Sequence, residues 1–84
     1  MILKPDRDSL TAEVLAPHIE LVGNTRCTVD GLKSISEYTA DKIKMNLGKY
    51  AVCFYGDALY IQSFSSEGAT VEGTILSVAF EDNA

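Results

Sequence analysis

The sequence has no tryptophan, a single histidine and only two cysteines among 84 residues. Two cysteines (Cys27 and Cys53) and His18 cannot complete a tetrahedral zinc site without carboxylate ligands. The apolar start, residues 1–3, is too short for a secretory leader, and without export a disulfide is disfavoured. We therefore predict two buried, free thiols that pack as small hydrophobic groups. No apolar run approaches the roughly 20 residues that a transmembrane helix needs.

Positive charge is also scarce, with 7 Lys and Arg against 12 Asp and Glu and a net charge of −5. Nonspecific nucleic-acid binding requires cations that displace counterions from phosphate, so no nucleic-acid partner is expected. The cationic residues of segment 32–49 are Lys33, Lys42, Lys44 and Lys49, and no Lys or Arg follows. Two interpretations stay open for this segment. It forms a solvated strand face that discourages unwanted pairing, or it meets the acidic C-terminal hairpin of a second copy.

Length and composition predict one small domain over residues 1–84, with 46% hydrophobic and 23% charged residues. Residues 1–16 are expected to form a helical segment. Leu10, Val14 and Leu15 share one side of a helix over residues 6–15, and Pro17 disfavours its continuation. This short helix has to dock on its own sheet, on a partner or on a membrane surface.

From Pro17 the apolar period changes to two, which predicts a β meander over residues 17–80. Alternation from Ile19 to Val29 predicts one half-buried strand, followed by a hairpin turn at Asp30-Gly31. Further strands are expected over residues 43–47, over 50–55 with both faces apolar, from Leu59 after a turn at Gly56-Asp57, and over 70–80 with a β-bulge near Ile75-Leu76. We predict a polar loop over residues 63–68.

Five to six strands with short glycine-marked turns indicate an all-β, mainly antiparallel fold. We predict a small curled sheet, roll or open barrel with a short N-terminal helix. Gly23, Gly56 and Gly73 each follow an apolar residue by two positions, and we expect them at three corners of the sheet.

No catalytic constellation is visible, and we predict no catalytic, cofactor-binding or metal residues and no enzyme activity. His18 is the sole candidate base, and nothing in the spacing of the acidic residues predicts a carboxylate pair among Asp57, Glu67 and Glu72. One alternative to a structural protein stays open. It is a small-ligand or oligonucleotide-binding β-barrel module whose concave site is reached by Tyr50, Tyr55 or Tyr60.

A layout of short hydrophobic and glycine signatures resembles the YabP/YqfC family of sporulation proteins. The strongest piece is VCFYGDALYI at residues 52–61, an apolar strand, a glycine, a short turn and then Leu-x-Ile. The other matching pieces are PHIELVG at 17–23, CTVDG at 27–31, ISEY at 35–38, IKMNLG at 43–48 and VEGTILSVAF at 71–80.

The resemblance implies a non-enzymatic structural or adaptor protein of endospore formation in Firmicutes, acting in spore envelope assembly through protein–protein contacts. It implies a cytoplasmic position on the mother-cell side, peripheral to the forespore membrane, and no cofactor. The expected partners are a membrane-embedded sporulation protein or further copies of this chain, joined through edge strands.

Overall fold

The computed structural model describes residues 16–83, and in this range the chain is all-β. The six strands are β1 (His18–Val22), β2 (Arg26–Asp30), β3 (Ser34–Tyr38), β4 (Lys42–Asn46), β5 (Tyr50–Phe64) and β6 (Gly68–Asp82). They form one unclosed antiparallel sheet in the order β1-β2-β6-β5-β4-β3. This confirms the predicted fold class, while the helix expected over residues 6–15 lies outside the described range. Within that range no helix is long and apolar enough to span a membrane.

The centre of the sheet is the β5–β6 hairpin, whose two strands are 15 residues long and bend near their middle. Tyr55 pairs with Ser77 but Gly56 pairs with Ile75, so Leu76 is an extra residue on β6. This confirms the β-bulge predicted near Ile75-Leu76. Since a bulge bends its strand and increases the local twist, the hairpin curls and brings its two ends toward one core.

The turn predicted at Gly56-Asp57 is wrong, because β5 continues through these residues to Phe64. A Cβ at position 56 would collide with the carbonyl oxygen of Thr74, and a Cβ at Gly73 would lie 2.6 Å from the carbonyl oxygen of Ala58. The glycines therefore permit close approach of two backbones at the bend, which is a different use of glycine from a hairpin turn.

The single strand predicted from Ile19 to Val29 is instead the hairpin β1–β2. Gly23 turns the chain with a φ of 55°. The alternation survives this turn because Leu21 pairs with Cys27 and Ile19 with Val29, which keeps all four side chains on one face. Because the two-residue apolar period continues through the turn, it could not reveal that the chain reverses at Gly23.

The hairpin turn predicted at Asp30-Gly31 is wrong as well, because β2 does not pair with β3. Gly31 has a φ of 84°, and its N–H donates to the carbonyl oxygen of Glu67 at 3.0 Å. Two residues later, Lys33 donates its N–H to Asn46 at 2.7 Å. Residues 31–33 therefore connect β2, at one end of the bent β5–β6 hairpin, to β3, at its other end.

Each half of the fold is built in the same way. The β1–β2 hairpin pairs with the first residues of β6, and the β3–β4 hairpin pairs with the first residues of β5. The turn of each short hairpin then bonds to the bend. The carbonyl oxygen of Thr25 accepts from the N–H of Gly73 at 3.2 Å, and the carbonyl oxygen of Asp41 accepts from the N–H of Gly56 at 3.1 Å. Each short hairpin is thereby anchored to the bend, one through β6 and the other through β5.

One hydrophobic core joins the halves, with Phe54, Ile43 and Met45 from one half and Val29 and Val71 from the other. The apolar strand predicted over residues 50–55 is buried on both faces, since its four central residues, 51–54, are all buried. Cys27 and Cys53 are free and buried, as predicted.

Candidate binding surface

Three apolar side chains follow one another along the second half of β6. Leu76 is 71% exposed, Phe80 is 60% exposed, and Val78 is partly buried between them. Val78 and Phe80 are two apart on the regular part of β6 and lie opposite the core residues Phe54 and Val52, which places them on the core-facing side of the sheet. Leu76 precedes them at the bulge, and we call these three side chains the apolar row.

The backbone of this segment is open on one side. β2 pairs with β6 only over residues 68–72, so residues 76–82 have β5 on one side and, among the described residues, no strand on the other. Residues 77–82 pair with residues 50–55 without interruption. We call residues 76–82 the open edge. The N–H and C=O groups that face away from β5 have no strand partner in residues 16–83, and such groups are a template for strand pairing.

The other free edges in residues 16–83 are shorter or partly closed. β1 and β3 have five residues each, and β3 contains a bulge between Ile35 and Glu37. Along the free side of β5, the Tyr38 hydroxyl accepts the N–H of Ile61 at 2.9 Å. Bulges and side-chain caps are devices that protect sheet edges, and the regular part of the open edge, residues 77–82, contains neither.

Side chains at the end of β6 hold the open edge in place. The rings of Tyr50 and Phe80 meet edge to face with centroids 5.7 Å apart. The Asn83 amide donates to the Asn46 side chain at 2.6 Å and to the carbonyl oxygen of Gly48 at 3.1 Å. The edge is therefore fixed before any partner arrives, which lowers the entropic cost of pairing.

Charged side chains of the same half lie on the outer face, where they pair within the chain. Lys44 bridges to Glu81 at 3.1 Å, and Lys42 bridges to Glu37 at 3.1 Å. Lys42 also lies 5.6 Å from the centre of the Tyr55 ring. Two of the four cations in segment 32–49 thus meet acids of their own chain. Of the two bridges, Lys44–Glu81 joins segment 32–49 to the acidic C-terminal hairpin within one molecule.

These contacts shift several pKa values. The hydrogen bond to Glu81 raises the pKa of Lys44, and the hydrogen bonds from Lys44 and Cys53 lower the pKa of Glu81. Burial, followed by the hydrogen bond to Glu81 at 3.3 Å, raises the pKa of Cys53. Cys53 therefore stays a neutral donor at neutral pH, and the arrangement disfavours a reactive thiolate.

A second polar cluster lies on the outer face of the other half. Glu72 accepts from the Tyr60 hydroxyl at 2.7 Å and from Arg26 at 3.2 Å. Donation to Glu72 raises the pKa of Tyr60. The three side chains satisfy one another across β2, β6 and β5, so the cluster acts as a ladder that fixes strand register.

The structure gives the acidic candidates different neighbours and leaves the lone histidine at the surface. His18 is exposed at the start of β1. Asp57 lies opposite Thr74 at the bend, Glu67 lies in the β5–β6 turn, and Glu72 bonds to Tyr60. Residues 16–83 contain no group of three or more His, Cys, Asp or Glu side chains placed to hold a metal ion.

The three tyrosines considered for a concave site do not converge. Tyr50 packs on Phe80, Tyr55 lies near Lys42 on the outer face, and Tyr60 bonds to Glu72 in the other half. No pocket is present in the described part of the chain. Stacking of successive bases needs aromatic rings along one surface, and these rings do not share one.

Comparison with known proteins identifies the family. The model of the YabP family matches residues 15–84, which include every strand of the fold. The chain belongs to the YabP family. Searches of curated proteins and of solved structures returned no match. The resemblance to YabP/YqfC sporulation proteins is thereby confirmed, and the YabP family is a sporulation-associated family that is not known for enzymatic activity.

Sequence reasoning expected contacts through edge strands but did not locate the open edge of this YabP-family protein on β6. A signal for it existed, because the apolar parity of β6 shifts from Val71 and Ile75 to Leu76, Val78 and Phe80. That shift revealed the bulge. It could not reveal that β2 stops short of this segment, since strand order depends on pairing between residues far apart in sequence.

Proposed function

We propose that this protein is a non-enzymatic structural or adaptor component of endospore formation that acts in spore envelope assembly through protein–protein contacts. Membership of the YabP family over residues 15–84 is the observation that carries the proposal. The structure supports a contact role because residues 76–82 offer an open strand edge beside a partly exposed apolar row.

Strand addition is the mode of contact that suits this surface. The backbone of residues 76–82 supplies hydrogen bonds along one line, and Leu76 and Phe80 supply apolar anchors two positions to either side of Val78. Main-chain bonds provide affinity and the side chains provide specificity in this mode. A binding module of this kind needs no pocket.

We further propose that the protein acts in the mother-cell cytoplasm at the surface of the forespore membrane. A membrane-embedded sporulation protein is the proposed partner there. Such a partner would concentrate an 84-residue domain at the membrane.

The proposal is tested by deleting the gene in an endospore-forming bacterium and counting heat-resistant spores. The expected result is a large loss of heat-resistant spores with normal vegetative growth, restored by the wild-type gene. A fluorescent fusion should be produced only in sporulating cells and should surround the forespore. Full spore resistance after deletion, or production throughout vegetative growth, would contradict the proposed role.

Two variants test whether the contact surface matters in the cell. Phe80→Asp places a charge on the open edge, and Phe64→Asp places the same charge at an almost equally exposed position, 61% against 60%, on β5. We expect Phe64→Asp to restore spores and Phe80→Asp to fail while its protein level stays normal. Equal restoration by both variants would show that the edge is not the contact.

A further inference from the structure

We infer that the open edge binds a second copy of the same edge, in an antiparallel and symmetric pair that extends the sheet across two molecules. This inference names a partner for the contact surface of the proposed function and rests on it. The pairing segment is residues 76–82, and its apolar row is Leu76, Val78 and Phe80.

The segment is self-complementary in its apolar pattern. A two-fold axis perpendicular to the sheet keeps the same face of both copies on the same side. When the axis passes between the two copies of Ala79, Val78 of one copy lies opposite Phe80 of the other. Val78 and Phe80 of both copies then form a continuous apolar strip, flanked at each end by Leu76 opposite Asp82, and aromatic–β-branched cross-strand pairs are favourable.

The distribution of charge selects the antiparallel direction. The only ionisable side chains of the segment are Glu81 and Asp82, both at its C-terminal end. Antiparallel pairing places these acids opposite residues 77 and 76, whereas parallel pairing in register would place like charges side by side, which is destabilising. Glu81 also carries its own counter-ion, Lys44, at 3.1 Å.

The regular part of the open edge carries little of the usual protection. Lysine, proline and bulges on edge strands discourage pairing, and residues 77–82 contain none of them. The charged side chains of this part, Glu81 and Asp82, are confined to its C-terminal end. The comparable free side of β5 is capped by Tyr38 at the N–H of Ile61. A regular edge with its charges at one end, beside a protected edge, is the pattern expected of a pairing site.

Self-association is tested on the full purified chain by size-exclusion chromatography with light scattering from about 1 to several hundred micromolar. We expect the measured mass to rise from monomer to dimer with concentration. Amide hydrogen exchange of residues 76–82 should slow as the dimer forms, while exchange of the free side of β5 stays unchanged.

Phe80→Asp should weaken the dimer by about a hundredfold or more, because it buries an unpaired charge in the strip. Phe64→Asp, with matched exposure, should leave the association unchanged. Leu76→Asp is the second test variant, since its 71% exposed side chain can be replaced with little cost to the monomer. Circular dichroism confirms that each variant is folded.

A wild-type chain that stays monomeric at several hundred micromolar would overturn the pairing. So would a monomer whose amides at residues 76–82 are already protected, because the edge would then be covered by its own chain. Equal weakening by the Phe80 and Phe64 variants would also overturn it. None of these results would affect spore counts after gene deletion, so the gene-deletion experiment tests the proposed sporulation role independently of the pairing.

Discussion

At the scale of single residues, both thiols of this protein are buried, and burial keeps them neutral. Cys27 is fully buried, and burial raises the pKa of its thiol to about 11. Cys53 is buried and donates to Glu81. Within the described residues no buried side-chain nitrogen or oxygen lacks a hydrogen-bond partner. Each of these features stabilises the fold, and none resembles an activated nucleophile.

Both thiols should be unreactive in the folded protein. At pH 8 roughly one thousandth of Cys27 is thiolate when its pKa is about 11. We expect almost no reaction with a thiol-specific reagent under native conditions and two thiols per chain after denaturation. Fewer than two thiols in the denatured protein would reveal a disulfide, and rapid native reaction would show that the sites open easily.

The Lys44–Glu81 pair should make stability depend on pH at the acidic end. Because the folded state lowers the pKa of Glu81, its contribution is present above the ordinary carboxyl pKa and is lost as pH falls through the lowered value. Glu81→Gln should therefore lower the thermal midpoint at pH 7, and the difference from wild type should shrink as the pH approaches 3.

Glu67→Gln is the matched control, since Glu67 is exposed in a turn and has no ion pair among the described residues. Its thermal midpoint should follow the wild-type curve at every pH. A difference for Glu81→Gln that stays constant down to pH 3 would show that lost packing, and not charge, explains the effect.

At the scale of elements, the bend in the β5–β6 hairpin determines the architecture. Gly56 and Gly73 let the two strands approach where the register shifts, and Ala58 adopts a φ of 53° beside them. The short hairpins then bond to this bend through Thr25 and Asp41. Without the bend, β5 and β6 would be a straight ribbon with no enclosed core.

Glycine substitutions separate this role from an ordinary turn. Gly56→Ala and Gly73→Ala should each lower the free energy of unfolding by about 3 kcal/mol, because the new methyl group meets backbone atoms. Gly23→Ala should cost only about 1 kcal/mol, since position 23 has open space and only its φ of +55° is unfavourable. Urea denaturation measures all three, and similar costs at all positions would contradict the close-approach explanation.

At the scale of the whole molecule, two similarly built halves share one core. Phe54 lies in the half that contains β4, and Val29 lies in the half that contains β2. A small domain has little core to divide, so neither half is expected to be stable alone. The two halves should therefore unfold together.

Phe54→Ala tests this cooperativity. The substitution should lower the free energy of unfolding by about 3–5 kcal/mol. Amide hydrogen exchange at Val29, in the other half, should lose protection by the same amount. Phe64→Ala, at a 61% exposed position, should change stability by less than about 0.5 kcal/mol. Unchanged protection at Val29 would mean that the halves unfold independently.

Local patterns in the sequence determined most of the strands. Alternation over residues 43–47 and 50–55, the bulge near Ile75-Leu76 and the burial of both cysteines were all predictable, because side-chain polarity and bulge spacing are local properties. The all-β class followed from the same patterns.

Tertiary structure alone decided how these strands are used. Gly56 fits a turn as well as a bend, and only its contact with Thr74 distinguishes them. Lys44 meets Glu81 because β4 and β6 flank β5, an order that no local period encodes. The open edge has the same origin, since β2 pairs with only the first part of β6. Strand order arises from long-range pairing and packing of the shared core, so the surface available for binding was determined by the fold as a whole.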